Sequence, residues 1–140
     1  MKKKLISDYT LFIEAWILLN LSKLLIVFIP FKKIASLLGD PQSETDKEVI
    51  DFAKIKDIEI SIIRAVKYVL FASKCYDQAL ATTFMLKKRK LSSTIYFGLH
   101  KEAGQLLAHA WVRCGDKIVS GKSGHERFTP VAWFSFNILG

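Results

Sequence analysis

The chain is poor in the residues that staple or interrupt small folds. Its 140 residues include two cysteines, three prolines and seven glycines. Two cysteines are too few for a disulfide-scaffolded secreted domain, and no Cys/His spacing matches a structural zinc site. Internal repeats and low-complexity segments are absent. Acidic residues are also scarce, with 13 Asp and Glu against 21 Lys and Arg, a formal charge of +8. No apolar run reaches the roughly 20 residues of a spanning helix. In the densest stretch, Leu11 to Phe31, Glu14, Asn20 and Lys23 break the run and Pro30 ends it. The basic start Lys2-Lys3-Lys4 imitates a signal peptide, but Asp8 and Glu14 follow and no small-residue cleavage site appears. A cytoplasmic protein with reduced thiols is expected.

What is present is grease. The hydrophobic fraction is 51% and mean hydropathy is +0.23, which exclude intrinsic disorder. The length suits one domain that buries about two thirds of its unfolded surface. The positive excess is diffuse: twelve cations against nine anions in residues 1–74, and nine against four in 75–140. With no aromatic reading surface beside it, nucleic acid is not expected as a partner. A basic surface would attract an acidic peptide equally well.

Residues 5–38 read as helix, capped by Ser7 or Asp8, with Pro30 dividing it and Gly39 ending the second piece. Its apolar pattern runs nearly around the wheel. That predicts a helix pair covered by the core or a partner, with a membrane-surface helix as the alternative. A polar connector, Gly39 to Asp46, precedes one or two helices over Lys47 to Phe71, where Val49, Phe52, Ile55, Ile58 and Ile62 recur at helical spacing. Ser73 reads as an N-cap for a helix from Cys75 to Lys88 with a basic end. Strands are expected over Thr94–His100, Leu106–Cys114 and Lys117–Ser120, with Gly115-Asp116 as a hairpin loop, and a last strand around Val131–Phe136. The order predicts an α+β fold: a helical region, 1–71, and an α+β core, 72–140, in one domain.

Two residues invite chemistry. Cys75 lies in the first turn of its helix, where free N–H groups and the dipole favour a thiolate and an oxyanion. The competing reading is a buried structural cysteine. His109 shares a strand face with Trp111 and Arg113, while Ala108, Ala110, Val112 and Cys114 take the other. It could serve as general base or be a core histidine bonded to backbone. Cys114 reads as a small sheet residue, His100 as a strand-end surface residue, and His125 as a loop residue that could border the site.

The segment Ser73-Lys74-Cys75-Tyr76-Asp77-Gln78-Ala79-Leu80-Ala81, followed by His109-Ala110-Trp111-Val112, resembles the transglutaminase-like cysteine peptidases. Within them it is most similar to the leader peptidases of lasso-peptide biosynthesis. Leu86 to Lys90, Tyr96 to His100 and Gly124 to Phe128 support the likeness, as do Glu14-Ala15, Pro30-Phe31 and Leu38-Gly39. The resemblance implies a papain/transglutaminase-like fold, with Cys75 as nucleophile and His109 as base. The family's third member is an aspartate on the next strand. Here the matching position is Ser120 or Gly121, so Ser120, then Glu126, then Asp116 are the candidate orienters. A hairpin at Gly115-Asp116 would set Cys114 opposite Lys117 and Trp111 opposite Ser120.

The implied activity is leader removal from a ribosomally made lasso precursor, with no cofactor and no metal. A separate ATP-dependent lasso cyclase would take the freed core. The length leaves no room for a leader-binding domain, so a separate leader-recognition protein is expected as a partner. The competing functions are a non-enzymatic adaptor in a peptide-maturation complex and a membrane-surface protein.

Overall fold

The computed structural model describes residues 2–45, 51–71 and 73–137, with side chains from residue 7 onward. Helix α1 spans Lys2–Phe28, α2 Phe31–Leu37, α3 Phe52–Ala65 and α4 Cys75–Lys88. The strands are β1 Asp40–Pro41, β2 Ser93–Glu102, β3 Gln105–Cys114, β4 Lys117–Ser120 and β5 Thr129–Phe136. They form one antiparallel sheet in the order β1-β5-β2-β3-β4. The fold is α+β, with the helices packed on one face of the sheet. Val49 of the expected 47–71 helical stretch lies outside the described residues, as does Ala72 at the expected region boundary.

Helix α1 starts earlier than expected. Ser7 and Asp8 lie inside it rather than capping it, because the lysine run already belongs to the helix. Leu11, Ala15, Leu19 and Ser22, spaced by three or four, form its buried stripe against α3 and α4. Two of its charges, Glu14 and Lys23, are paired with α4. Glu14 receives a two-pronged ion pair from Arg89 at the end of α4, and Lys23 lies 3.6 Å from the buried Asp77. The Arg89 guanidinium holds the Glu14 carboxyl below its ordinary range, against the opposing effect of burial. The helix is continuous, so the broken-run reading fails as a length argument. Ser7–Phe28 is long and apolar enough to cross a membrane by length and composition, a test that core helices and signal sequences also pass.

Pro30 follows α1 and stands before α2 with extended backbone; its ring and missing N–H keep α1 from running on through it. In α3 the pattern is that of an ordinary amphipathic helix: Ile55, Ile58, Ile62 and Ala65 are buried while Lys54, Lys56 and Arg64 face water. The expected polar connector holds one surprise: Asp40 pairs with Ser135 and Pro41 with Phe134, making a two-residue strand at one edge of the five-stranded sheet. The centre of the core is α4, whose Ala79, Leu80, Ala81, Thr82, Met85 and Leu86 are fully buried. They pack against Ile95, Ala110, Val112 and Val119 of the sheet.

Candidate active site

Cys75 is the first residue of α4. The expected Ser73 cap is not formed. Lys74 takes the N-cap position, and the Asp77 carboxylate reaches back to accept from the Lys74 N–H at 2.9 Å. Asp77 does this better than a serine because it satisfies a free donor and sets an anion in the first turn. The thiol is half-buried and reduced, with no hydrogen-bond partner among the described residues. Beside it Tyr76 packs edge-on against Phe31 and Phe97. Burial pushes the Tyr76 hydroxyl up to about 12.

His109 lies on β3 opposite Gly98. Its imidazole stands between Trp111, with centroids 5.8 Å apart, and Phe128, at 5.0 Å. Gly98 makes the space: a Cβ there would come within 2.8 Å of the Trp111 ring and 2.9 Å of Phe128. The ring's Nε2 is 2.7 Å from the Gly121 carbonyl oxygen. A carbonyl only accepts, so Nε2 carries the hydrogen and Nδ1 holds the free lone pair of the neutral ring.

The expected third members are placed differently. Residue Cys114 does face Lys117, but Ser120 faces Val112, not Trp111. Arg113 pairs with Ile118 and Val112 with Ser120, so Val119 is an extra residue, a bulge that shifts the register by one. The Ser120 hydroxyl is buried without a hydrogen-bond partner among the described residues, and the group holding His109 is the backbone of its neighbour, Gly121. Gly121 has φ +75°, and a Cβ there would lie 2.4 Å from the Ala110 oxygen. The backbone therefore excludes any carboxylate-bearing side chain at 121 in this conformation. Glu126 is exposed and lies 3.5 Å from His125; Asp116 is exposed at the hairpin tip. Neither contacts His109.

By strand alternation, Ala110, Val112 and Cys114 point into the core beneath α4 and His109 takes the other face. No hydrogen bond joins Cys75 to His109. The link between them is the end of β4. A cleft of about 310 Å³ between α3 and β4 is lined by Ile55, Ile62, Gln78, Ser120, Gly121 and Lys122. Gln78 is one helical turn from Cys75, and Gly121 is the residue that holds His109. The cleft also runs along β4, an outermost strand of the sheet.

A profile of the transglutaminase-like superfamily matches residues 15–132. The chain belongs to the transglutaminase-like superfamily. The match runs from α1 into β5 and includes Cys75, His109 and Gly121. No curated protein and no solved structure matches the chain. As a transglutaminase-like domain, it carries the fold typical of cysteine proteases and transglutaminases.

Sequence reasoning put Trp111 beside His109 and missed the second aromatic wall, Phe128. Phe128 carries no local pattern, and its contact with His109 spans nineteen residues of chain. The other two histidines also meet these walls: His100 lies 5.8 Å from Phe128 and His125 5.8 Å from Trp111. His125 thus borders the site, as its glycine-bearing loop allowed. Cys114 donates to the Ser92 carbonyl and burial raises its thiol to about 11, which fits a structural residue. Among the described residues, no three His, Cys, Asp or Glu side chains gather as a metal site.

Proposed function

We propose that this transglutaminase-like domain is a cysteine endopeptidase that removes the leader from a lasso-peptide precursor. The observation that carries the reading is the anchored imidazole: Nε2 donates to the Gly121 carbonyl, leaving Nδ1 as the basic nitrogen, in a family whose cysteine opens a helix. Cys75 and His109 share no hydrogen bond and His109 takes the face of β3 away from α4, so the reaction requires β3 and the start of α4 to rearrange when substrate binds.

In the proposed reaction Cys75 Sγ, having passed its proton to His109 Nδ1, attacks the scissile carbonyl carbon. The free N–H groups at the start of α4 stabilise the oxyanion. The C–N bond breaks as His109 returns the proton to the leaving amine, and the leader remains as a thioester on Cys75. Water, deprotonated by His109, then breaks the S–C bond and releases the leader carboxylate. The Gly121 carbonyl orients the ring as an aspartate would, but with a dipole instead of a full charge. An extended precursor can lie along the free edge of β4 and deliver its junction to the end of the cleft. The resemblance adds a separate leader-recognition protein and an ATP-dependent cyclase as partners.

The test is incubation with a lasso precursor and its leader-binding protein, followed by mass spectrometry. Cleavage at the leader–core junction is expected, and its loss in Cys75→Ala. A variant that still cleaves would overturn the mechanism. An adaptor role is the second reading, favoured by the missing thiol–imidazole hydrogen bond; wild type that never cleaves while binding the precursor complex would support it.

A further inference from the structure

The outward face of α1 is the part of the surface that the core does not explain. Tyr9, Ile13, Ile17, Leu21, Leu24 and Phe28 recur every three or four residues and are all exposed, Phe28 at 74%. No charged residue lies in that stripe from Tyr9 to Phe28. Thr10 is an exposed polar residue on this side, and the charged and amide side chains between Tyr9 and Phe28 are engaged within the fold. Glu14 is held by Arg89, Lys23 pairs with Asp77, and Asn20 accepts from the Leu70 N–H and donates to the Trp16 carbonyl. The 66–71 segment widens the surface. Trp16 Nε1 donates to the Tyr68 carbonyl at 2.7 Å, and Tyr68, Leu70 and Phe71 are exposed beside the helix.

The borders of this face are basic. The sequence puts Lys2, Lys3 and Lys4 at one end of α1, and the exposed Lys32 and Lys33 follow its other end on α2. Arg64 and Lys67 share a surface hollow with Tyr9, Phe12 and Tyr68, where Asp8 is the one acid. An uncharged apolar stripe with aromatic side chains, bounded by cations, matches a lipid surface rich in anionic headgroups.

We propose that the exposed face of α1 docks the protein on an anionic membrane surface, with the helix lying in the interfacial plane. The helix lies on the bilayer and does not cross it. Crossing would pull Leu11, Ala15 and Leu19 out of the core and carry Glu14 and Lys23, separated from their partners, into hydrocarbon.

Co-sedimentation of the full chain tests this, using vesicles of phosphatidylcholine alone or mixed with an equal part of phosphatidylglycerol. Binding to the anionic vesicles about tenfold or more above the neutral ones is expected, weakening as salt rises. The double substitution Ile17→Glu, Leu24→Glu lowers it by about tenfold, with the thermal unfolding midpoint kept as evidence of folding. Should that variant unfold, Ile17→Ser, Leu24→Ser serves in its place. Vesicle binding that is absent, that ignores lipid charge, or that survives the substitutions overturns the proposal. So does a dimer in size-exclusion light scattering that the same substitutions dissociate, which would make a second copy the occupant. Resistance of the vesicle-bound protein to alkaline carbonate would show a spanning helix instead.

Discussion

The outer face of α1 and the end of β4 are built by opposite rules. Along α1 a second apolar stripe looks outward while Glu14 and Lys23 are paired with α4, so the exposed stripe has area and no reacting group. At the end of β4 the backbone itself is polar and spoken for: the Gly121 carbonyl holds an imidazole walled by Trp111 and Phe128. The first surface suits adhesion, which scales with apolar area; the second suits chemistry, which needs a few groups held still. One domain of this size can carry both because each lies on a different side of α4's buried body.

The largest effect expected from breaking this division is at the thiol. Cys75→Ala should cut precursor cleavage by about 10³-fold or more, while vesicle binding is unchanged. Parallel loss of both would mean that the two surfaces are not independent. Leu19 and Leu21 sharpen the contrast within α1 itself. Leu19→Ala should destabilise by about 2–5 kcal/mol in urea unfolding, because Leu19 is fully buried. Exposed Leu21→Ala should stay within about 0.5 kcal/mol. Equal costs would show that the outer stripe is covered within the folded chain.

Next is the ion pair that turns α1's polarity inward. The Glu14 carboxyl is lowered in the folded state by Arg89, so its stabilisation is present above the unfolded carboxylate pKa. It is lost as pH falls below that value toward the lowered folded one. Glu14→Gln should cost about 1.5–3 kcal/mol at neutral pH and flatten the acid limb of stability against pH. An unchanged acid limb would remove the pair from the account. The smallest effect concerns the two thiols. Iodoacetamide on the native protein should label half-buried Cys75 and spare Cys114, buried and raised to about 11, as peptide mass spectrometry would show. Equal labelling would contradict the placement of Cys114 under the sheet.

Much of this arrangement was legible in the chain. The bounds of α4 and β4, the hairpin at Gly115-Asp116 and the break at Pro30 follow from local signals: helical or alternating periodicity, two turn residues and a missing N–H. Local signals also put His109 with Trp111 and Arg113 on one face of β3. They misplaced the cap of α4, because Asp77 acts from three residues inside the helix and Ser73 offered a simpler cap. They also misjudged the register of β4, since a bulge at Val119 leaves no mark in a four-residue strand.

The sequence by itself determined the elements, the family likeness and the surplus of apolar side chains, since each of these depends on neighbours a few residues apart. Only the tertiary structure decided where that surplus faces and what holds His109. Both depend on pairings across 12 to 75 residues of chain, His109 with Gly121 and Glu14 with Arg89. Such pairings are set by packing α1 and the sheet onto α4, and no periodicity within a segment encodes them.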